Sequence, residues 1–140
     1  MRYHYLTLCA LLLSGMIVTA AERAKPSDGE ITSRLVGTWA TCIAGGTSTD
    51  PDGSIQYHED GTFTAEGKIQ LGDNATATVK VEGTWKVTSG VIVHGVTKTS
   101  HPGIAPLGAE MKEAILAIDD KAMTFKRGVG HKRERKRIQE

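Results

Sequence analysis

The stretch Ala75-Thr76-Ala77-Thr78-Val79-Lys80-Val81-Glu82-Gly83-Thr84-Trp85-Lys86-Val87 alternates small or apolar residues with threonine, lysine and glutamate along its whole length. Successive side chains of a strand point to opposite faces, so a period of two describes a strand with one dry face and one wet face. A helix would need apolar spacings of three and four, which are absent here. The segment before it repeats the pattern. Ile55, Tyr57, Phe63, Ala65, Gly67, Ile69 and Leu71 share one parity, while Thr62, Thr64, Glu66, Lys68 and Gln70 take the other.

Further strands are expected at Leu35–Cys42, Val91–Thr99, Met111–Asp119 and Ala122–Arg127. Glu59-Asp60-Gly61, Thr88-Ser89-Gly90 and Asp119-Asp120-Lys121 carry the residues of tight turns. The remaining links are Ile43–Gly53, Gly72–Asn74 and Ser100–Glu110, two of them long. In a meander, alternate connections fall at the same end, so the long links gather at one mouth and the tight turns close the other. The fold class is therefore all-β: an antiparallel meander of about seven or eight strands forming a barrel or strongly curved sheet.

Outside this region the chain changes character. Met1–Ala20 has Arg2 ahead of an apolar run from Leu6 to Val18 and ends in Val18-Thr19-Ala20, the small residues a signal peptidase accepts. Residues 1–20 are read as a signal peptide, 21–34 as a polar lead-in with room for a helical turn, 35–128 as the barrel and 129–140 as a disordered basic tail. The expected location is periplasmic or secreted.

The 140 residues carry a formal charge of +1, and removal of the leader takes away one arginine and no acid. A neutral exported chain is not a general nucleic-acid binder. The tail from His131 holds five lysines and arginines against Glu134 and Glu140. Its functional reading is weak contact with an anionic membrane surface or an acidic partner; its plain reading is a solvated end. Cys42 is the one cysteine beyond the leader, so no internal disulfide forms.

Leu35-Val36-Gly37-Thr38-Trp39 resembles the G-x-W signature that opens lipocalin and related calycin barrels. Tyr57…Asp60-Gly61-Thr62-Phe63 and Gly83-Thr84-Trp85-Lys86-Val87 look like strands of small bacterial lipocalin-like domains. The resemblance implies structural roles for Gly37, Trp39 and Arg127. Trp39 would sit at the closed end beneath a late-strand arginine, and Arg127 is the arginine available within an expected strand. One conflict follows. With seven strands the first and last run parallel, and Arg127 emerges at the mouth instead of beside Trp39.

Catalytic signals are thin. No nucleophile elbow or phosphate-cradling glycine loop is present. His58, His94, His101 and His131 lack metal-ligand spacing, and Asp50-Pro51-Asp52-Gly53 lacks the oxygen ligands of a calcium loop. No cofactor, metal or catalytic residue is assigned, and the chain is read as a non-enzyme.

Binding is the better class. The expected inward set is rich in small residues, which describes either a cavity or a narrow, solidly packed barrel. Tyr57, Phe63 and Trp85 are the side chains expected to line a cavity, or to fill the core in its absence. In Ser100–Gly108, two prolines accompany apolar Ile104 and Leu107. With His101 this loop either lids the mouth, meets a partner, or folds back on the core. The first functional reading is a secreted, noncatalytic binding protein for a small apolar molecule. The alternative is an inhibitor or immunity-type protein that neutralises a secreted enzyme or toxin through its mouth loops.

Overall fold

The long alternating stretches form the centre of one eight-stranded antiparallel sheet whose strands neighbour each other in chain order. The computed structural model describes residues 24–42 and 51–139. The leader and most of the 43–53 loop lie outside the described residues. The strands are β1 (Gly37–Thr41), β2 (Gly53–Tyr57), β3 (Thr62–Gln70), β4 (Thr76–Thr88), β5 (Val91–Thr99), β6 (Glu110–Ile118), β7 (Ala122–Arg127) and β8 (Lys132–Lys136). The sheet curls into a nearly closed barrel. β1 meets β8 through the Trp39–Arg137 bridge, with Ile138 N donating to Thr38 O at 2.9 Å. Above that point the two strands part and leave a seam.

The alternation predicts the core correctly. Phe63 and Ile69 of β3, and Val79, Val81 and Trp85 of β4, are buried with Ile55, Tyr57, Ile92, Ile115 and Phe125. Leu71 falls just past β3 and is exposed, so the inward pattern stops two residues earlier than expected. The register slips between Glu82 and Gly83, where the β4–β5 ladder bulges. Gly83 is needed there: a Cβ would lie 2.0 Å from the Gly95 carbonyl oxygen and 2.6 Å from the Phe63 ring.

Two expectations at the ends are corrected. Leu35 and Val36 do not start the first strand; a helix, α1 (Asp28–Leu35), ends there. Ser27 caps it by accepting from Glu30 N, acidic residues occupy its first turn, and Arg34 its last. Ile31 and Leu35, one helical turn apart, are fully buried and close the barrel floor. The Asp28 carboxylate accepts from Ser89 N at 2.8 Å and Gly90 N at 2.6 Å, tying the helix to the β4–β5 turn. Arg34 meets Asp120 at the β6–β7 turn.

The second correction concerns the basic tail, which is β8 and not a disordered end. It pairs with β7 from Ala122↔Lys136 to Lys126↔Lys132. Its one buried residue is Arg135, which finds its partners inside the barrel, so a strand without a single apolar residue is still anchored.

Candidate ligand-binding site

An even strand count resolves the conflict at the closed end. The eighth strand runs antiparallel to the first, and it is Arg137 whose guanidinium carbon lies 4.3 Å from the Trp39 ring centroid. Arg137 also donates to the carbonyl oxygens of Val36 and Arg34, two of the carbonyls at the end of α1. Gly37 leaves room for it, since a Cβ would stand 2.3 Å from Arg137 Nη1. The Trp39 indole donates to Leu35 O at 2.8 Å. The role expected of Arg127 therefore belongs to Arg137, ten residues later.

Arg127 sits at the mouth end of β7 and serves a different cluster. Glu113 pairs with Arg127 across β6 and β7 and is wholly buried. Its Oε1 accepts from Arg127 Nη2 at 2.6 Å. Arg135 of β8 grips the same carboxylate with both ends of its fork, at 2.6 and 2.8 Å. Arg135 also donates to Thr41 Oγ1 and to the Tyr57 hydroxyl, and lies 4.4 Å from the centroid of Phe125. Tyr57 continues the network to His94 Nε2 at 2.7 Å, and His94 Nδ1 lies 3.3 Å from Met111 O.

The electrostatics follow from burial and charge. Burial pushes the Tyr57 hydroxyl above its ordinary value. Burial, aided by the positive charges of Arg135 and Arg127 and opposed by Glu113, lowers His94 to about 4. For Glu113 burial works against ionisation, but the two arginines outweigh it and hold the carboxyl at about 2. Near neutral pH the network holds two guanidiniums, one carboxylate, a neutral imidazole and a neutral phenol.

Above this network is a cavity of about 250 Å³. Its walls are apolar, with Ile55, Phe63, Val81, Val96 and Met111, and Arg127 and Arg135 supply its polar side. The loop from His101 covers it. Ile104 N and Ala105 N both donate to His101 O, forming one helical turn, and Gly108 N returns to Val96 O. That turn sets Ile104, Ala105 and Pro106 against the cavity. Leu107 points away and is 63% exposed.

The residues singled out from sequence divide accordingly. Phe63 faces the cavity and Ile104 lids it. Tyr57 lies beneath, with its hydroxyl in the polar network. Trp85 packs edge-on against Tyr57 at 5.6 Å and donates its indole N–H to Thr62 O and His58 O, facing the floor and not the cavity. His101 is half-buried, and its Nδ1 lies 2.8 Å from Ser100 Oγ. Among the described residues no group of three histidines, cysteines or carboxylates is placed to hold a metal ion.

Sequence reasoning missed Glu113 and Arg135. The available signal was Glu113 at an inward position of a strand otherwise rich in isoleucine and alanine.

No family model matches the sequence, and no curated protein matches it. Solved structures do. A lipocalin-like protein from Bacteroides uniformis superimposes with a TM-score of 0.52 at 13% identity, over 75% of this chain and 99% of that one. The fold is lipocalin-like. An uncharacterized protein from Bacteroides eggerthii shares it, with a TM-score of 0.51 at 14% identity, over 74% of this chain and 99% of that one.

Proposed function

We propose that this lipocalin-like protein is a noncatalytic binding protein that takes a small, largely apolar molecule into its barrel through the loop-covered end. The observation that carries the reading is the cavity of about 250 Å³ between Phe63, Val96 and the Ile104–Pro106 lid. Its size falls just below the range of roughly 300–1,000 Å³ common for drug-sized ligands, so a smaller molecule suits it. Export belongs to the same reading, on the strength of the apolar stretch that ends in Val18-Thr19-Ala20.

Equilibrium dialysis against 1-octanol, a neutral apolar probe, and against octanoate tests the reading. The expected result is saturable one-to-one binding of at least one of them, lost in Val96→Trp, whose indole fills the cavity. Absence of binding by both, or binding unaffected by Val96→Trp, would overturn it. The loop-borne inhibitor reading is not carried further: Ile104, Ala105 and Pro106 border the cavity, which favours the interior reading, while Ile104 and Leu107 also keep exposed surface.

A further inference from the structure

Resting on the interior-binding reading, we propose that the ligand is a small amphiphile carrying a carboxylate, with its apolar body under the lid and its anionic head against Arg127. The charge inventory of the site leads there. Among the described residues, the charged ones lining the cavity are two arginines, Arg127 and Arg135. Among the described residues, Glu113 is the carboxylate that bonds both. Two guanidiniums around one carboxylate leave a net positive charge beside an apolar space, where an unbalanced charge is costly and an anion from outside would be favoured.

The two arginines are not equally satisfied. Arg135 is 4% exposed, holds Glu113 with both ends of its fork and gives further bonds to Thr41 and Tyr57. Arg127 gives Glu113 one short bond, its buried Nε has no acceptor, and its side chain is 35% exposed. Arg135 is therefore the structural partner of Glu113, while Arg127 keeps charge to offer. A planar guanidinium also matches a carboxylate in shape and hydrogen-bond geometry.

The seam provides the approach. Toward the mouth, a second cleft of about 240 Å³ lies between the β1 segment Ala40–Cys42 and β8. Thr41, Cys42, Arg127 and Arg135 border both this cleft and the interior cavity. Arg133 and Lys136 line the cleft with Glu134, so among the described residues its rim carries more positive than negative charge. An acid drawn to that rim meets Arg127 where the two spaces join.

The test compares octanoate with 1-octanol, which share a chain and differ in the head group, by equilibrium dialysis against the full-length protein at pH 7.5. Octanoate is expected to bind at least about tenfold more tightly than the alcohol, as one charge-assisted hydrogen bond implies. Arg127→Met should abolish that preference, bringing the ratio of acid to alcohol affinity close to one. Arg127→Lys should recover part of it.

Equal affinity of acid and alcohol in the unsubstituted protein would overturn the carboxylate assignment and leave interior binding standing. So would an Arg127→Met variant that keeps the preference. If Arg127→Met fails to fold, the acid-to-alcohol ratio of the unsubstituted protein decides alone. Binding of neither probe overturns the interior reading itself.

Discussion

Arg137 stacks its guanidinium on Trp39, joining the first strand of the barrel to the segment that follows the last, with 4.3 Å between guanidinium carbon and ring centroid. The same group bonds the carbonyls of Arg34 and Val36, so one side chain holds indole, helix end and sheet edge together. Arg137→Ala should lower stability by about 3 kcal/mol, from the lost cation–π contact and charge-assisted bonds. Arg127→Ala should leave the floor intact. Urea unfolding followed by tryptophan fluorescence measures the loss, and an unchanged midpoint in Arg137→Ala would argue against a special role for Arg137.

The buried ion cluster makes a sharper demand. Glu113→Gln leaves Arg135 buried without its counter-charge and should cost about 3–5 kcal/mol. Replacing both partners, as Glu113→Leu with Arg135→Leu, should recover part of that loss, because the fully buried guanidinium then goes with its counter-charge and the charge left behind is the partly exposed Arg127. A double variant as unstable as the single one would show that the pair itself supplies stability. Denaturant midpoints at pH 7.5 give the comparison.

Acid should weaken the fold in two successive steps. His94 is held at about 4 in the folded chain against an ordinary 6.5, so the unfolded chain takes up its proton first. Its contribution is complete above pH 6.5 and disappears as pH falls toward 4, a loss on the order of 3 kcal/mol. Glu113, held at about 2 against an ordinary 4.5, contributes above pH 4.5 and loses that contribution as pH falls toward 2. His94→Gln should flatten the first limb and spare the second. Urea midpoints between pH 8 and 3 would reveal an unchanged first limb if His94 were not its source.

Gly83→Ala tests the bulge. The new methyl would meet the Gly95 carbonyl oxygen and the Phe63 ring well inside contact distance. A backbone oxygen cannot step aside cheaply, so the expected loss is about 3 kcal/mol. Gly103→Ala, in the mouth loop with open space around it, should change stability little. Thermal unfolding of the two variants measures the contrast.

These sites also mark where sequence reading succeeds and where it stops. β3 and β4 are legible because their inward residues are small or apolar and their outward residues are polar for nine and thirteen residues. The floor turns are legible because aspartate, serine and glycine have local reasons to be there. α1 was legible only as room for a helical turn, because its apolar content is two residues, Ile31 and Leu35, and their neighbours Val36 to Trp39 read as the start of a strand.

β8 escaped for a deeper reason. Its one buried residue is an arginine, and what holds Arg135 inside is a glutamate 22 positions earlier. A rule that seeks apolar residues on the inner face cannot recognise a strand whose inner face is charged. The candidate site was legible in its walls, Phe63 and Ile104, and hidden in its polar side for the same reason.

The seam has one more consequence, for encounters between copies of this chain. An unpaired strand edge invites an identical edge to join it, the first step toward aggregation. Here the exposed edge reads Lys132-Arg133-Glu134-Arg135-Lys136, the same forwards and backwards. Two such edges aligned antiparallel about Glu134 would set lysine opposite lysine, arginine opposite arginine and glutamate opposite glutamate. Every cross-strand pair in that register is repulsive. The palindrome that disguises β8 as a loose tail thus protects an incompletely closed barrel from its own twin.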